Sequence, residues 1–305
     1  MQKSVTDTGD CSSKSLIAIW PYAVKKPVGN LDNTPLSSLV WPLGLPDCAS
    51  GKTIGDMGDA LHLVSFPRPW LFNRAISKTK VKLSLLIVEP SAFHWRYITL
   101  ARIFHHRFYR VLTVNSKLLA AIPNGLKFPP CETWVPDWKH RSCKKDRMLS
   151  LIASSKRRLK GHRLRHRLVE HIRTYGPNAD VIGSGYQPID NKADGLEAYR
   201  YSIVIENSRE PGYFTEKLID ALLLKTVPIY WGATDINRYF DTDGMLVCET
   251  EEDIHEAIRK ISVEDYDGRR DAIDRNFTTA KRCSSLLVRV AAALAADKDL
   301  TFEVR

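Results

Sequence analysis

Between residues 201 and 232 the chain reads YSIVIENSREPGYFTEKLIDALLLKTVPIYWG, and this stretch limits the possible folds more than any other. YSIVI and VPIYW are runs of β-formers, while in TEKLIDALLL the apolar Leu218, Ile219, Leu222 and Leu223 recur at helical spacing. Strand, helix and strand in that order make a β-α-β unit, so the two strands are expected to be parallel and joined by a right-handed crossover. The polar segment ENSREPGYFT then falls where the first strand ends and the helix begins, the edge at which open α/β sheets bind ligands.

The residue types at that edge suit a phosphorylated ligand. Free backbone N–H groups and the positive end of the helix dipole favour an anion, and Lys217 adds a mobile cation. Glu216 would not help an anion, but a carboxylate accepting two hydrogen bonds suits a pair of ribose hydroxyls. Pro211-Gly212 supplies a tight turn that brings backbone close to a ligand. Composition alone leaves a second reading open, in which Glu216 only complements the helix dipole and Lys217 is solvated.

Strand-like and helical patterns alternate elsewhere too, which favours an α/β architecture. Candidate strands are 15–20, 60–66, 82–88 and 110–114, then 147–154, 179–185, 201–207 and 227–232, with a helix near 163–174; PLSSLVWPLGLPDCASG reads as irregular loop. A chain of 305 residues with 44% hydrophobic content is large enough for about two domains. FPPCETWVPDWKHRSCKKD, dense in Pro and charge, is a plausible linker. Two Rossmann-like halves are therefore expected, 1–135 and 136–305, with FTTAKRCSSLLVRVAAALAA as one long helix packing back across the boundary.

The formal charge of +10 is local: 139–167 holds twelve Lys/Arg against one acid, leaving the remainder near −1. That pattern suggests an anion site rather than a uniformly cationic protein. Lys156, Arg157, Arg158 and Lys160 lack interleaved aromatics, so they read as a solvated rim around the site and not as a nucleic-acid groove. The six scattered cysteines show no zinc-ligand spacing and are expected to be reduced thiols. No segment is apolar enough for a membrane span, and MQKSVTDTGDCSSKS lacks the apolar core of a signal peptide. A cytoplasmic protein is expected, in which the sequon Asn276-Phe277-Thr278 goes unused.

YSIVIENS, YFTEKLIDALLLKTVPIYWGA and INRYF together closely resemble the signature of the α-1,3/4-fucosyltransferase family, glycosyltransferase family 10. The likeness is dense from Tyr199 to about Phe240 and thinner upstream. It implies an α/β protein of the GT-B type, two Rossmann-like domains facing across a cleft, with the acceptor in 1–135 and GDP-fucose in 136–305. Carried over by position, the donor-binding residues fall on Asn207, Tyr213, Glu216 and Lys217, with Glu216 on the ribose and Lys217 on the diphosphate. The family's diphosphate-gripping Arg falls on Arg165, with Arg163 as the competing candidate.

Such transfer inverts the anomeric centre and needs one general base on the acceptor hydroxyl. Glu89 follows the apolar run 83–88, where catalytic side chains of α/β sheets collect, and resembles the family's base. Three DxD strings, 241–243, 265–267 and 297–299, are weak metal signals because none follows a strand in the nucleotide position. With Lys217 and Arg165 to neutralise departing GDP, neither a catalytic metal nor another cofactor is expected. His94, His105 and His106 are better read as structural. The resemblance thus implies an inverting transferase moving L-fucose from GDP-β-L-fucose to an oligosaccharide or glycoconjugate. Transfer from another GDP-sugar, or an anionic-polymer binding module on the same fold, are the alternatives.

Overall fold

A computed structural model of the protein describes residues 16–73, 79–175 and 178–296. The chain divides into two compact units, one running to Phe128 and taking in the chain again from Leu287, the other Pro129–Leu286. The division thus falls earlier than the expected 135/136.

In the first unit β1 (Leu16–Ile19), α1 (Ile54–Met57), β2 (Leu61–Ser65), β3 (Lys82–Leu86), α2 (Ser91–Phe104), β4 (Val111–Thr113), α3 (Ser116–Ala121) and β5 (Gly125–Lys127) follow in order. The strands form one parallel sheet, β1-β2-β3-β4-β5. Leu61, Leu63, Leu83 and Leu85 point one way and join Leu36, Ile54 and Ala101 in one core, the period-2 placement a strand imposes. The expected irregular loop holds short 3-10 turns at Leu36–Ser38 and Asp47–Ala49.

The second unit contains β6 (Arg147–Ile152), α4 (Lys160–Tyr175), β7 (Ala179–Ile182), β8 (Tyr199–Ile205), α5 (Glu216–Leu223), β9 (Val227–Trp231) and β10 (Leu246–Val247). Helices α6 (Glu251–Lys260), α7 (Val263–Gly268) and α8 (Arg270–Arg282) follow. Its sheet is also parallel, in the order β10-β9-β8-β6-β7. Strand β8 is buried on both faces, which is why its sequence is apolar without alternation. Val204 packs with Phe214, Leu218 and Leu222 toward α5. Tyr201, Ile203 and Ile205 pack with Leu164 and Leu168 of α4. Each buried leucine of α5 contributes roughly 1.5–3 kcal/mol of transfer free energy.

The expected long C-terminal helix is two helices, α8 and α9 (Leu286–Ala296). The break comes at Cys283-Ser284-Ser285, where the Ser284 hydroxyl donates to the Lys281 carbonyl and competes with helical hydrogen bonding. Helix α9 groups with the first unit, where Arg289 stacks over Phe128. Cys48 is disulfide-bonded, contrary to the expectation of six reduced thiols, while Cys131, Cys143, Cys248 and Cys283 are free. Pairing depends on spatial approach, which spacing along the chain does not report, and the inference from reduced thiols to a reducing compartment loses its premise. Among the described residues no helix is long and apolar enough to cross a membrane. The sequon is closed by packing: Asn276 is 1% exposed, and its amide exchanges hydrogen bonds with the backbone of Asp241.

Candidate nucleotide site

In the second sheet the chain leaves β6 for β7 on one side, then crosses to β8 on the other. Such a reversal opens a crevice between the loops at the carboxyl ends of the two central strands. Helix α4 starts beside β6 and α5 beside β8, so both present their first turns there. The approach of α4 is close: a Cβ on Gly161 would sit 1.7 Å from the Glu206 carbonyl oxygen. Only glycine allows this contact. One turn further, the Arg165 guanidinium donates to the Ile205 carbonyl at 3.1 Å and to Asn207 Oδ1 at 2.9 Å.

On the other side Thr215 caps α5, its hydroxyl oxygen accepting from the Lys217 N–H. Glu206, fully buried at the end of β8, accepts from the Thr215 N–H at 2.8 Å and from its hydroxyl at 2.7 Å. Lys217 Nζ lies 2.9 Å from Glu216 Oε1, 3.1 Å from Thr215 Oγ1 and 3.6 Å from Glu206 Oε2. Beyond Glu216 stands Lys192, 3.9 Å from Glu216 Oε1 and 2.7 Å from Asp220 Oδ2. Arg165, Asn207, Glu206, Lys217, Glu216 and Lys192 therefore form one continuous polar array within this unit.

The array fixes its own charges. Burial works to raise the Glu216 carboxyl, but Lys217 and Lys192 overcome it and hold the group at about 2. Burial disfavours the Lys217 ammonium, yet Glu206 and Glu216 beside it raise its pKa above the usual lysine range. His162 is pushed down to about 4 by burial and by Arg165, Lys156 and Lys217, so it is neutral near pH 7. Two firm cations and a firm carboxylate then flank a helix N-terminus, an arrangement that can neutralise a diphosphate and accept from two hydroxyls.

Of the residues singled out in the sequence, Asn207, Glu216, Lys217 and Arg165 come together here. Tyr213 is 1% exposed and lies close enough to influence Arg165 electrostatically. Its neighbour Gly212 takes φ +70, the left-handed conformation the Pro-Gly turn requires. Arg163 points elsewhere, donating to the Arg158 carbonyl and lining an open groove with Arg167, Trp231 and Glu249. Glu89 stands in the other unit, half-buried between the end of β3 and the start of α2. Sequence reasoning missed Glu206, Lys192, His162 and Gly161 as site residues. The Glu-Asn-Ser string and a glycine at a helix start were signals for two of them; Lys192 and His162 join only through tertiary packing.

The DxD strings are otherwise engaged. Asp241 pairs with Arg275 at 2.7 Å, Asp265 with Arg269 at 2.9 Å and Asp267 with Arg270 at 2.9 Å; 297–299 lies outside the described residues. His94 is pushed to about 4 by burial, as befits a packed side chain. Among the described residues no three His, Cys, Asp or Glu side chains cluster as metal ligands.

A parallel α/β unit with anion-neutralising groups and a ribose-suited carboxylate at its switch point is the architecture of a nucleotide-binding domain. Residues 142–263, which lie within the second unit, match the profile described as Glycosyltransferase family 10 (fucosyltransferase) C-term. The α-(1,3)-fucosyltransferase FucT of Helicobacter pylori is 35% identical over 74 residues, 24% of this chain and 15% of the relative. A fucosyltransferase-like protein of Arabidopsis thaliana is 30% identical over 86 residues, 27% of this chain and 17% of the relative. The chain thus matches less than a fifth of the length of these curated relatives. The crystal structure of an α1,3-fucosyltransferase with GDP-fucose superimposes with a TM-score of 0.49 at 14% identity, covering 80% of this chain and 83% of that one.

Proposed function

We propose that the protein is an inverting, GT-B-type glycosyltransferase that moves L-fucose from GDP-β-L-fucose to a hydroxyl of an oligosaccharide or glycoconjugate. The observation that carries this reading is the array at the carboxyl edge of β6 and β8, where Arg165, Glu216 and Lys217 come together within the span that matches the family 10 profile. Glu216 accepts from the ribose hydroxyls, and Lys217 and Arg165 meet the diphosphate. Asn207 orients the guanidinium by accepting from it, and buried Tyr213 supports the turn that carries α5.

Transfer needs negative charge to be stabilised on departing GDP and a proton to be removed from the acceptor. Fixed cations do the first most effectively when they are already in place before bond breaking. Lys217 and Arg165 are so placed by Glu206, Glu216 and Asn207, and no catalytic metal is required. Glu89 acts as the general base, at a strand's carboxyl end in the first unit. Calorimetric titration with GDP, GDP-fucose, GDP-mannose, a UDP-sugar and an oligonucleotide tests the reading. Tight binding of GDP and GDP-fucose in EDTA is expected; binding restricted to the oligonucleotide would replace this reading with an anionic-polymer module.

A further inference from the structure

At the amino edge of the second sheet, helix α5 ends in a left-handed turn. Lys225 takes φ +54, the Thr226 N–H donates to the Ala221 carbonyl at 2.9 Å and the Lys225 N–H to that of Leu222 at 3.2 Å. A turn of this kind satisfies two of a helix's last carbonyls and leaves others to be met from outside. Lys145, two residues before β6, meets one of them. Its ammonium donates to the Leu224 carbonyl at 2.7 Å, to the Thr226 hydroxyl oxygen at 2.8 Å and to the carbonyls of Glu197 and Leu196 at 2.9 and 3.3 Å. The Thr226 hydroxyl closes this cage by donating to the Leu196 carbonyl at 2.7 Å. None of the four oxygens belongs to a carboxylate, and the Glu197 carboxylate is taken up by Arg141 and the Ser142 N–H. Burial pushes the Lys145 ammonium down, while the oxygens around it, which the charged form satisfies with three N–H donors, oppose that loss.

Taking a cation out of water is a poor source of stability, and what this one joins are two elements that carry the nucleotide array. Leu224 and Thr226 follow α5, whose first turn holds Glu216 and Lys217 and whose middle holds Asp220. Leu196 and Glu197 follow the 3-10 turn Lys192–Gly195, to which their N–H groups are tied through the Ala193 carbonyl at 2.8 and 2.7 Å. From that turn Lys192 reaches Asp220 at 2.7 Å and Glu216 at 3.9 Å. We propose that Lys145 is a positioning residue of the nucleotide site. By clamping the end of α5 to the end of the 192–195 turn it sets the separation of Lys192 from Glu216, and with it the charge and orientation of the carboxylate that meets the ribose. The assignment rests on the donor-site reading above and extends it to a residue that touches no ligand.

The test is calorimetric titration of GDP into wild type, Lys145→Ala and Lys145→Met, well below the melting temperature of each, with propylammonium chloride or, at equal ionic strength, tetramethylammonium chloride. Propylammonium replaces the atoms lost in Lys145→Ala, whereas tetramethylammonium has the charge but no N–H to donate. Lys145 is partly exposed, so the emptied cage is reachable from solvent. Both variants should bind GDP about tenfold more weakly than wild type. Propylammonium should recover most of that loss in Lys145→Ala and none in Lys145→Met, whose apolar stem fills the cage; tetramethylammonium should recover neither. A side chain needed only for stability would lower the melting temperature and leave the affinity of the folded variants unchanged, a result that overturns the positioning role and leaves the donor site standing. Weakened binding in Lys145→Ala that propylammonium does not restore, or that tetramethylammonium restores equally, overturns it too, as does failure of both variants to melt cooperatively in propylammonium. If wild type itself does not bind GDP, the donor-site reading falls and this assignment with it.

Discussion

In the sheet β1-β2-β3-β4-β5 each strand lies beside its predecessor, whereas in β10-β9-β8-β6-β7 the chain turns back across β6. The buried polar groups differ accordingly. Strands of the first sheet bury His62, Ser65, Ser84 and Thr113, whose polar atoms are engaged locally, as His62 Nε2 is with Ser84 Oγ at 2.7 Å and the Ser65 hydroxyl is with the Phe66 carbonyl at 2.9 Å. The second unit buries Arg165, Glu206 and Asp220, against Arg289 of α9 in the first unit. Burying ions is costly, and a network of them is a poor way to gain stability. Their concentration around a chain reversal coincides with the place proposed for nucleotide binding. In the function proposed above, the second unit binds the nucleotide and the first removes the proton.

That division can be broken at several points. The largest effect is expected from Glu89→Gln, which should lower turnover by roughly 10²–10⁴-fold; wild-type turnover with chemistry rate-limiting would send the search to another carboxylate of the first unit. Next comes Gly161→Ala, whose Cβ meets the backbone of Glu206 and Asn207 just past β8. It should cost about 3 kcal/mol or more by denaturant unfolding and weaken GDP binding as α4 carries Arg165 away. A variant as stable as wild type would show that α4 does not need its close seat. Lys217→Ala should weaken GDP by about 10- to 100-fold, and calorimetry finding less than a threefold change would remove the lysine from the diphosphate.

Smaller still is the response to pH. A carboxyl depressed to about 2 in the folded chain stabilises it above the ordinary glutamate range and loses that contribution progressively as pH falls from that range through about 2. Lys217 is raised and stays protonated, and His162, at about 4, stays neutral. Affinity for GDP-fucose, whose diphosphate does not itself titrate near neutrality, should therefore be flat between pH 5.5 and 8, within about threefold. A step near pH 6.5 in that titration would place a histidine in the site.

The same contrast explains what the sequence revealed. Strand β8, helix α5 and strand β9 were legible because burial on both sheet faces leaves long apolar runs, and because the helix cap, turn and charged residues follow one another without interruption. Strands β5 and β10, three and two residues long, carry too little pattern to be seen. Within the site, Asn207, Tyr213, Glu216 and Lys217 are close in sequence and were named from it. Lys192 is brought to the array by tertiary packing, through Asp220, and no local pattern announces it. At the break between α8 and α9 a serine hydroxyl competes with the helix, a small local effect inside an otherwise helical string.

Titration calorimetry of GDP in EDTA into wild type, Glu89→Gln and Glu216→Gln tests the separation of roles most directly. Glu89→Gln should bind GDP as wild type does, while Glu216→Gln, which weakens the acceptor for the ribose hydroxyls and unbalances Lys217 and Lys192, should bind at least about tenfold more weakly. Wild-type affinity in Glu216→Gln, or loss of GDP binding in Glu89→Gln, would contradict the assignment of nucleotide binding to the switch point of the second sheet.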